Sequence, residues 1–182
     1  MKTITLVSTR LGSPERSELL RLETADLHVR ASLFAETLNS DILDERFLEH
    51  VPIVRRLLYK FLPKSVCQVL EAFLVKQRYD AVISWATRSA LPFTALLKLT
   101  GCQVPHVAIF YWISKPIKAK MLRKVHSHID RIILMSSIQR DFALEILHIP
   151  PSKIAFLKAP VDQKFWRPIE CQASMICAVG SE

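Results

Sequence analysis

Only three glycines stand in the 182 residues, at Gly12, Gly101 and Gly180, where average usage of roughly 7% would give about a dozen. So few, so far apart, exclude the phosphate-cradling loops, because neither G-x-x-x-x-G-K-[ST] nor G-x-G-x-x-G can be drawn through them. Cysteine is sparse too. Cys67, Cys102, Cys171 and Cys177 form no C-x-x-C pair, so neither a structural zinc site nor a disulfide framework is indicated at this length. No apolar run approaches the ~20 residues that a spanning helix needs, and the apolar stretch within Met1 to Arg10 is too short for a signal peptide. A G-x-S-x-G elbow is missing, and spacing alone assembles no Ser-His-Asp set. The expectation is a reduced, cytoplasmic protein.

What is present is apolar and basic. Half of the residues are hydrophobic and the formal net charge is +8. That is a globular composition at a length that fits one ordinary domain. The positive charge leaves three partners open: nucleic acid, an anionic membrane and a phosphorylated small molecule.

Short apolar runs alternate with longer helical patterns. Strands are expected at Ile4–Ser8, Asp41–Leu43, Asp80–Trp85, Val104–Tyr111, Arg131–Met135 and Ile154–Leu157. Helices are expected from Ser13-Pro14 onward, over His28–Leu38, Phe47–Leu62, Val66–Gln77, Ser89–Thr100 with Gly101 as its C-cap, Ile117–Val125 and Ile138–Leu147. Buried strands joined by helices predict an α/β fold, a doubly wound, Rossmann-like parallel sheet.

In such a sheet ligands bind outside the carboxyl ends of the strands. That rule selects Thr9 and Arg10 after the first strand, Trp85, Thr87 and Arg88 after the Asp80 strand, and Tyr111 and Trp112 after the Val104 strand. It adds Ser137 and Gln139 after the Arg131 strand and Asp162 after the last. Helix N-termini behind them favour anions. For Thr87 and Ser137, capping is the competing role. For Trp85, Tyr111 and Trp112 it is core packing against the stacking of a sugar or apolar acceptor.

The order of pieces carries a resemblance. Tyr79-Asp80-Ala-Val-Ile-Ser84 looks like a "Y-D-V-I" strand, and Asp130-Arg-Ile-Ile-Leu-Met-Ser-Ser137 like "A-D-x-I-I-x-x-S". A P-P-S-K-I connector follows, then Pro160-Val-Asp-Gln-Lys-Phe-Trp-Arg-Pro168 and Met175-Ile-Cys-Ala-Val-Gly180. Together with the helix from His28 leading to Asp41-Ile42, this resembles the N-terminal, acceptor-side domain of GT-B glycosyltransferases, the nucleotide-sugar enzymes of family 4 in particular. The resemblance implies residues 1–168 as the acceptor domain and 169–182 as a linker and the first strand of a truncated donor domain, with Gly180 its first donor-site glycine. It implies sugar transfer from a nucleotide sugar, retaining and metal-independent, with no cofactor and a sugar or lipid-linked acceptor. The isolated chain is then expected to be inactive, and its apolar tail to be disordered, to dock non-natively on its own domain or to mediate self-association. Departures from the family pattern are the missing glycine pair beside Gly12, the strand-end histidine replaced by Trp85, Tyr111 and Trp112, and Pro160 in place of glycine. The E-x7-E element that holds the donor diphosphate belongs, in that family, to the second domain.

Ile53 to Leu62 carries apolar pairs at 53/54, 57/58 and 61/62 with Arg55, Arg56 and Lys60 between them. A second basic run holds Lys118, Arg123 and Lys124. Either helix packs its apolar face on the core or lies peripherally on an anionic membrane. Aromatics are not interleaved with the basic runs as a nucleic-acid stacking platform requires. His126-Ser-His128 ends a helix and reads as a solvent-facing C-terminal turn with favourable dipole charge in preference to a metal site. The rival to the glycosyltransferase reading is a non-catalytic α/β module that binds a phosphorylated ligand, a protein partner or an anionic membrane surface.

Overall fold

The structure, a computed structural model, describes residues 1–7, 16–28, 36–44, 47 and 51–158. Six strands form one all-parallel sheet: β1 (Thr3–Leu6), β2 (Ser40–Leu43), β3 (Ala81–Trp85), β4 (His106–Phe110), β5 (Arg131–Leu134) and β6 (Ile154–Phe156). Their order is β2-β1-β3-β4-β5-β6. The chain steps outward from β1 to β2, then crosses back to β3 and winds the other way, so the sheet is doubly wound and its switch point lies between β1 and β3.

Strands buried on both faces read as continuous apolar runs, and Ala-Val-Ile at 81–83 and Ile-Ile-Leu at 132–134 do so. On one face Ile4, Leu6 and Val82 pack with Val69, Ala72, Phe93 and Leu97. Beside them Ala108, Phe110, Ile132 and Leu134 pack with Leu91, Leu122 and Ile149. Except for Ile149, these partners come from the helices α3 (Lys64–Val75), α4 (Thr87–Thr100) and α5 (Pro116–Val125). Further α-helices are α1 (Arg16–Thr24), α2 (Ile53–Tyr59) and the short α6 (Ser137–Asp141).

Gly101 ends α4 at φ +65, its N–H reaching the Leu97 and Lys98 carbonyls. A Cβ there would meet nothing within 4 Å, so backbone conformation alone selects the glycine.

Proline placement corrects one helix. Of the segment expected as helical from Phe47 to Leu62, the described residues from 51 onward form a helix over Ile53–Tyr59, after Pro52 at the N-cap. Proline lacks an N–H and disfavours helical geometry in the residue before it. Pro63 likewise stands at the N-cap of α3, which starts at Lys64. The run expected as one helix over Ile138–Leu147 divides into α6 and a π-helical turn at Phe142–Ile146. Most of the His28–Leu38 helix, the Ser13-Pro14 start and the boundary at Pro168 lie outside the described residues. Among the described residues no helix is long and apolar enough to cross a membrane.

Candidate functional site

Parallel pairing places every strand's carboxyl end at the same edge. Trp85 closes β3 in register with Ile109, and Phe110 of β4 stands opposite Leu134 of β5. Tyr111 and Trp112 leave β4, and Ser137 and Gln139 lie just past β5. The topology therefore gathers Trp85, Tyr111, Trp112, Ser137 and Gln139 at one edge.

The aromatics form a bonded ledge. Trp85 Nε1 donates to Tyr111 Oη at 2.7 Å, and Trp112 Nε1 donates to Ser114 Oγ at 2.6 Å. The Lys115 ammonium lies 5.4 Å from the centre of the Trp112 ring, a cation–π distance. Tyr111 and Trp112 are 51% and 52% exposed, so core packing does not account for either ring.

Gln139 holds the loop beneath them. Its Oε1 accepts from Ile113 N at 2.6 Å and Ser114 N at 3.2 Å. Its Nε2 donates to Ser114 Oγ at 3.3 Å, and the side chain is buried. A buried amide satisfying two backbone donors fixes the turn by which the ledge projects from the sheet.

Between β3 and α4 the backbone is strained. Ala86 has φ +111 and ψ 152, a region populated essentially by glycine and costing about 1–3 kcal/mol. Its neighbours over-determine it. The Ala86 N–H donates to Ile109 O, and its carbonyl accepts from Ser89 N and Ala90 N and from Ser89 Oγ. This turn aims the N-terminus of the 14-residue α4 at the ledge with no side-chain cap.

The capping roles weighed for Thr87 and Ser137 do not hold, because both are first helical residues. Ala86 and Ser136 occupy the N-caps, neither with a side-chain cap bond. Thr87 is half-buried, while Arg88 and Ser137 are exposed. Thr9, Arg10, Asp162 and Gly180 lie outside the described residues.

The basic candidates divide. Arg55 turns into the domain, its Nη1 2.9 Å from both Glu71 carboxylate oxygens. Arg56, Lys60 and Lys124 are exposed and Lys118 is half-buried. Arg123 spends Nη2 on the Ile146 carbonyl. Nor does α2 bury its apolar stripe: Ile53, Val54, Leu57, Leu58 and Phe61 face outward, which corrects the core-facing alternative.

Sequence reasoning missed His106, which is fully buried. Ser84 Oγ lies 2.9 Å from its Nε2, and Thr94 Oγ1 lies 3.3 Å from its Nδ1. Thr94 gives its own proton to Ala90 O, so Nδ1 carries the imidazole proton and Nε2 accepts from Ser84. Burial pushes the ring down to about 4, against the opposing pull of Asp130 and the His128 backbone. Both members of this Ser–His pair are sealed in the core, and neither can meet a substrate. A strand residue flanked by apolar neighbours gave no local signal of it.

A cavity of about 410 Å3 opens at the amino ends of β4 and β5, lined in part by Cys102, Gln103, Ser127, His128 and Asp130. Three of its polar residues already have work within the fold. Asp130 Oδ2 accepts from His106 N at 2.8 Å, and Ser127 Oγ lies 3.0 Å from His128 Nδ1. It sits at the end of the sheet opposite the ledge, and the strand-end rule favours the ledge. His126, expected to face solvent, is half-buried, and burial followed by Lys153 and Lys98 lowers its pKa.

These features define a Rossmann-like α/β domain with an aromatic ledge at the carboxyl edge of its sheet. No protein-family model matches the chain, and no curated protein matches it.

Proposed function

We propose that this chain is the acceptor-side half of a two-domain glycosyltransferase of the GT-B kind, which transfers a sugar from a nucleotide-sugar donor. The observation that carries the reading is the ledge of Trp85, Tyr111 and Trp112. Trp85 is partly buried and Tyr111 and Trp112 are half-exposed, at the carboxyl ends of β3 and β4 beside the uncapped start of α4. Sugar faces stack on such rings, and the indole and phenol polar tips orient hydroxyls. Its part in the reaction is positioning, holding the acceptor hydroxyl in line with the donor's anomeric carbon. Thr9, Arg10, Thr87, Arg88, Ser137 and Asp162 complete this side in the same reading.

The charge on the departing diphosphate is neutralised by basic groups and helix dipoles of a second domain, with Gly180 as its first donor-site glycine in this reading. Transfer is retaining, metal-independent and free of cofactors. The 182-residue chain, incubated with UDP-, GDP- or ADP-glucose and an alkyl glycoside, is therefore expected to give no transfer above the protein-free rate. Measurable turnover of any of the three would overturn the division of labour between two domains.

A further inference from the structure

α2 is attached to the domain the wrong way round for a core helix. Its inward residues are polar. Tyr59 Oη donates to Glu71 Oε1 at 2.7 Å, and Arg55 contacts both Glu71 oxygens. Tyr59 packs with Val51 and Cys67 in a small buried cluster. The stripe that helical periodicity would send to a core points to solvent instead: Ile53 73%, Val54 72%, Leu57 53%, Leu58 62% and Phe61 89% exposed. Exposed apolar residues scattered singly need no explanation, but a contiguous stripe does.

The charge around the stripe selects its partner. Residues 51 to 70 include Arg55, Arg56, Lys60 and Lys64 and no acidic residue. Glu71 takes up Arg55, while Lys60 and Lys64 are exposed beside the stripe. A second copy docking here about a two-fold axis would set these like charges against one another, on a chain of net charge +8. An anionic bilayer offers what the surface lacks, namely phosphates for the basic rim and acyl chains for the stripe.

We infer that α2 and the turn after it form a membrane-docking element that inserts Ile53, Leu57 and Phe61 into an anionic lipid surface while Lys60 and Lys64 meet headgroup phosphates. The inference does not rest on the glycosyltransferase reading, since it uses none of the ledge residues.

Flotation of the full chain with vesicles of phosphatidylcholine, alone or mixed with phosphatidylglycerol, tests it. The mixed vesicles carry the protein and the neutral ones do so far less. Lys60→Gln with Lys64→Gln weakens binding by about 30-fold, roughly fivefold for each charge. Leu57→Ser with Phe61→Ser weakens it by at least about tenfold. Because these side chains are exposed, circular dichroism stays as in the unchanged chain. Phe61→Trp, which keeps the apolar character, adds a blue-shifted emission component on mixed vesicles. Absence of flotation with mixed vesicles overturns the inference, as does unchanged binding by the serine variant or no shift from Trp at position 61. A concentration-dependent dimer that the serine variant abolishes would also overturn it, because a second copy then covers the stripe.

Discussion

Phe93→Ala is expected to lower the unfolding free energy by about 4 kcal/mol, within the range for truncating a buried phenylalanine. The ring is fully buried and packs with Ile4, Leu6, Val82 and Leu97, where α4 meets β1 and β3. Its edge-to-face contact with His106, centroids 5.0 Å apart at 72°, adds a second consequence. Removing the ring admits solvent or space beside the imidazole, and the burial that depresses its pKa weakens. Urea unfolding at neutral pH measures the first effect, and repetition at acidic pH the second. A loss below about 1 kcal/mol would mean that the site collapses around the deletion.

Acidification is the second large effect. His106 titrates at about 4 in the folded chain and at about 6.5 when unfolded. The unfolded state therefore binds more protons than the folded one between these values. Stability from this residue is complete above pH 6.5 and is lost as pH falls toward 4, by about 3 kcal/mol in all. His106→Gln retains hydrogen-bonding groups toward Ser84 and Thr94 without a titrating ring. The difference between the unchanged chain and this variant, measured by urea unfolding from pH 7.5 to 4, isolates the contribution from that of the carboxylates. Equal slopes in both chains would show that His106 takes up its proton with no cost to the fold.

Much of this architecture is legible in the sequence. Alternating apolar runs and helical patterns give the six parallel strands, Gly101 marks the end of α4, and the strand-end rule collects Trp85, Tyr111 and Trp112 before any coordinates are known. What the sequence hides is direction and distance. The 53/57/61 stripe is plain, but periodicity defines a face without saying which way it points. The inward side is decided by Glu71, which lies 12 residues from Tyr59 and 16 from Arg55 on another helix. The positive φ of Ala86 has no sequence signature, because nothing in alanine's chemistry calls for it and the surrounding hydrogen bonds impose it. His106 is hidden for a related reason: Ser84 and Thr94 come to it from a neighbouring strand and a covering helix. Pro52 was readable and sets the start of α2.

The central claim, that the ledge receives a sugar, is tested most directly by saturation-transfer NMR on the full chain with octyl β-glucoside and octyl β-mannoside below their micelle concentrations, with octanol as control. The account predicts saturation on the pyranose ring protons of at least one glycoside, and loss of most of it in Trp112→Ala, where a stacking face is removed and the fold is kept. Saturation confined to the octyl chain, or pyranose saturation unchanged in Trp112→Ala and Tyr111→Ala alike, would contradict it.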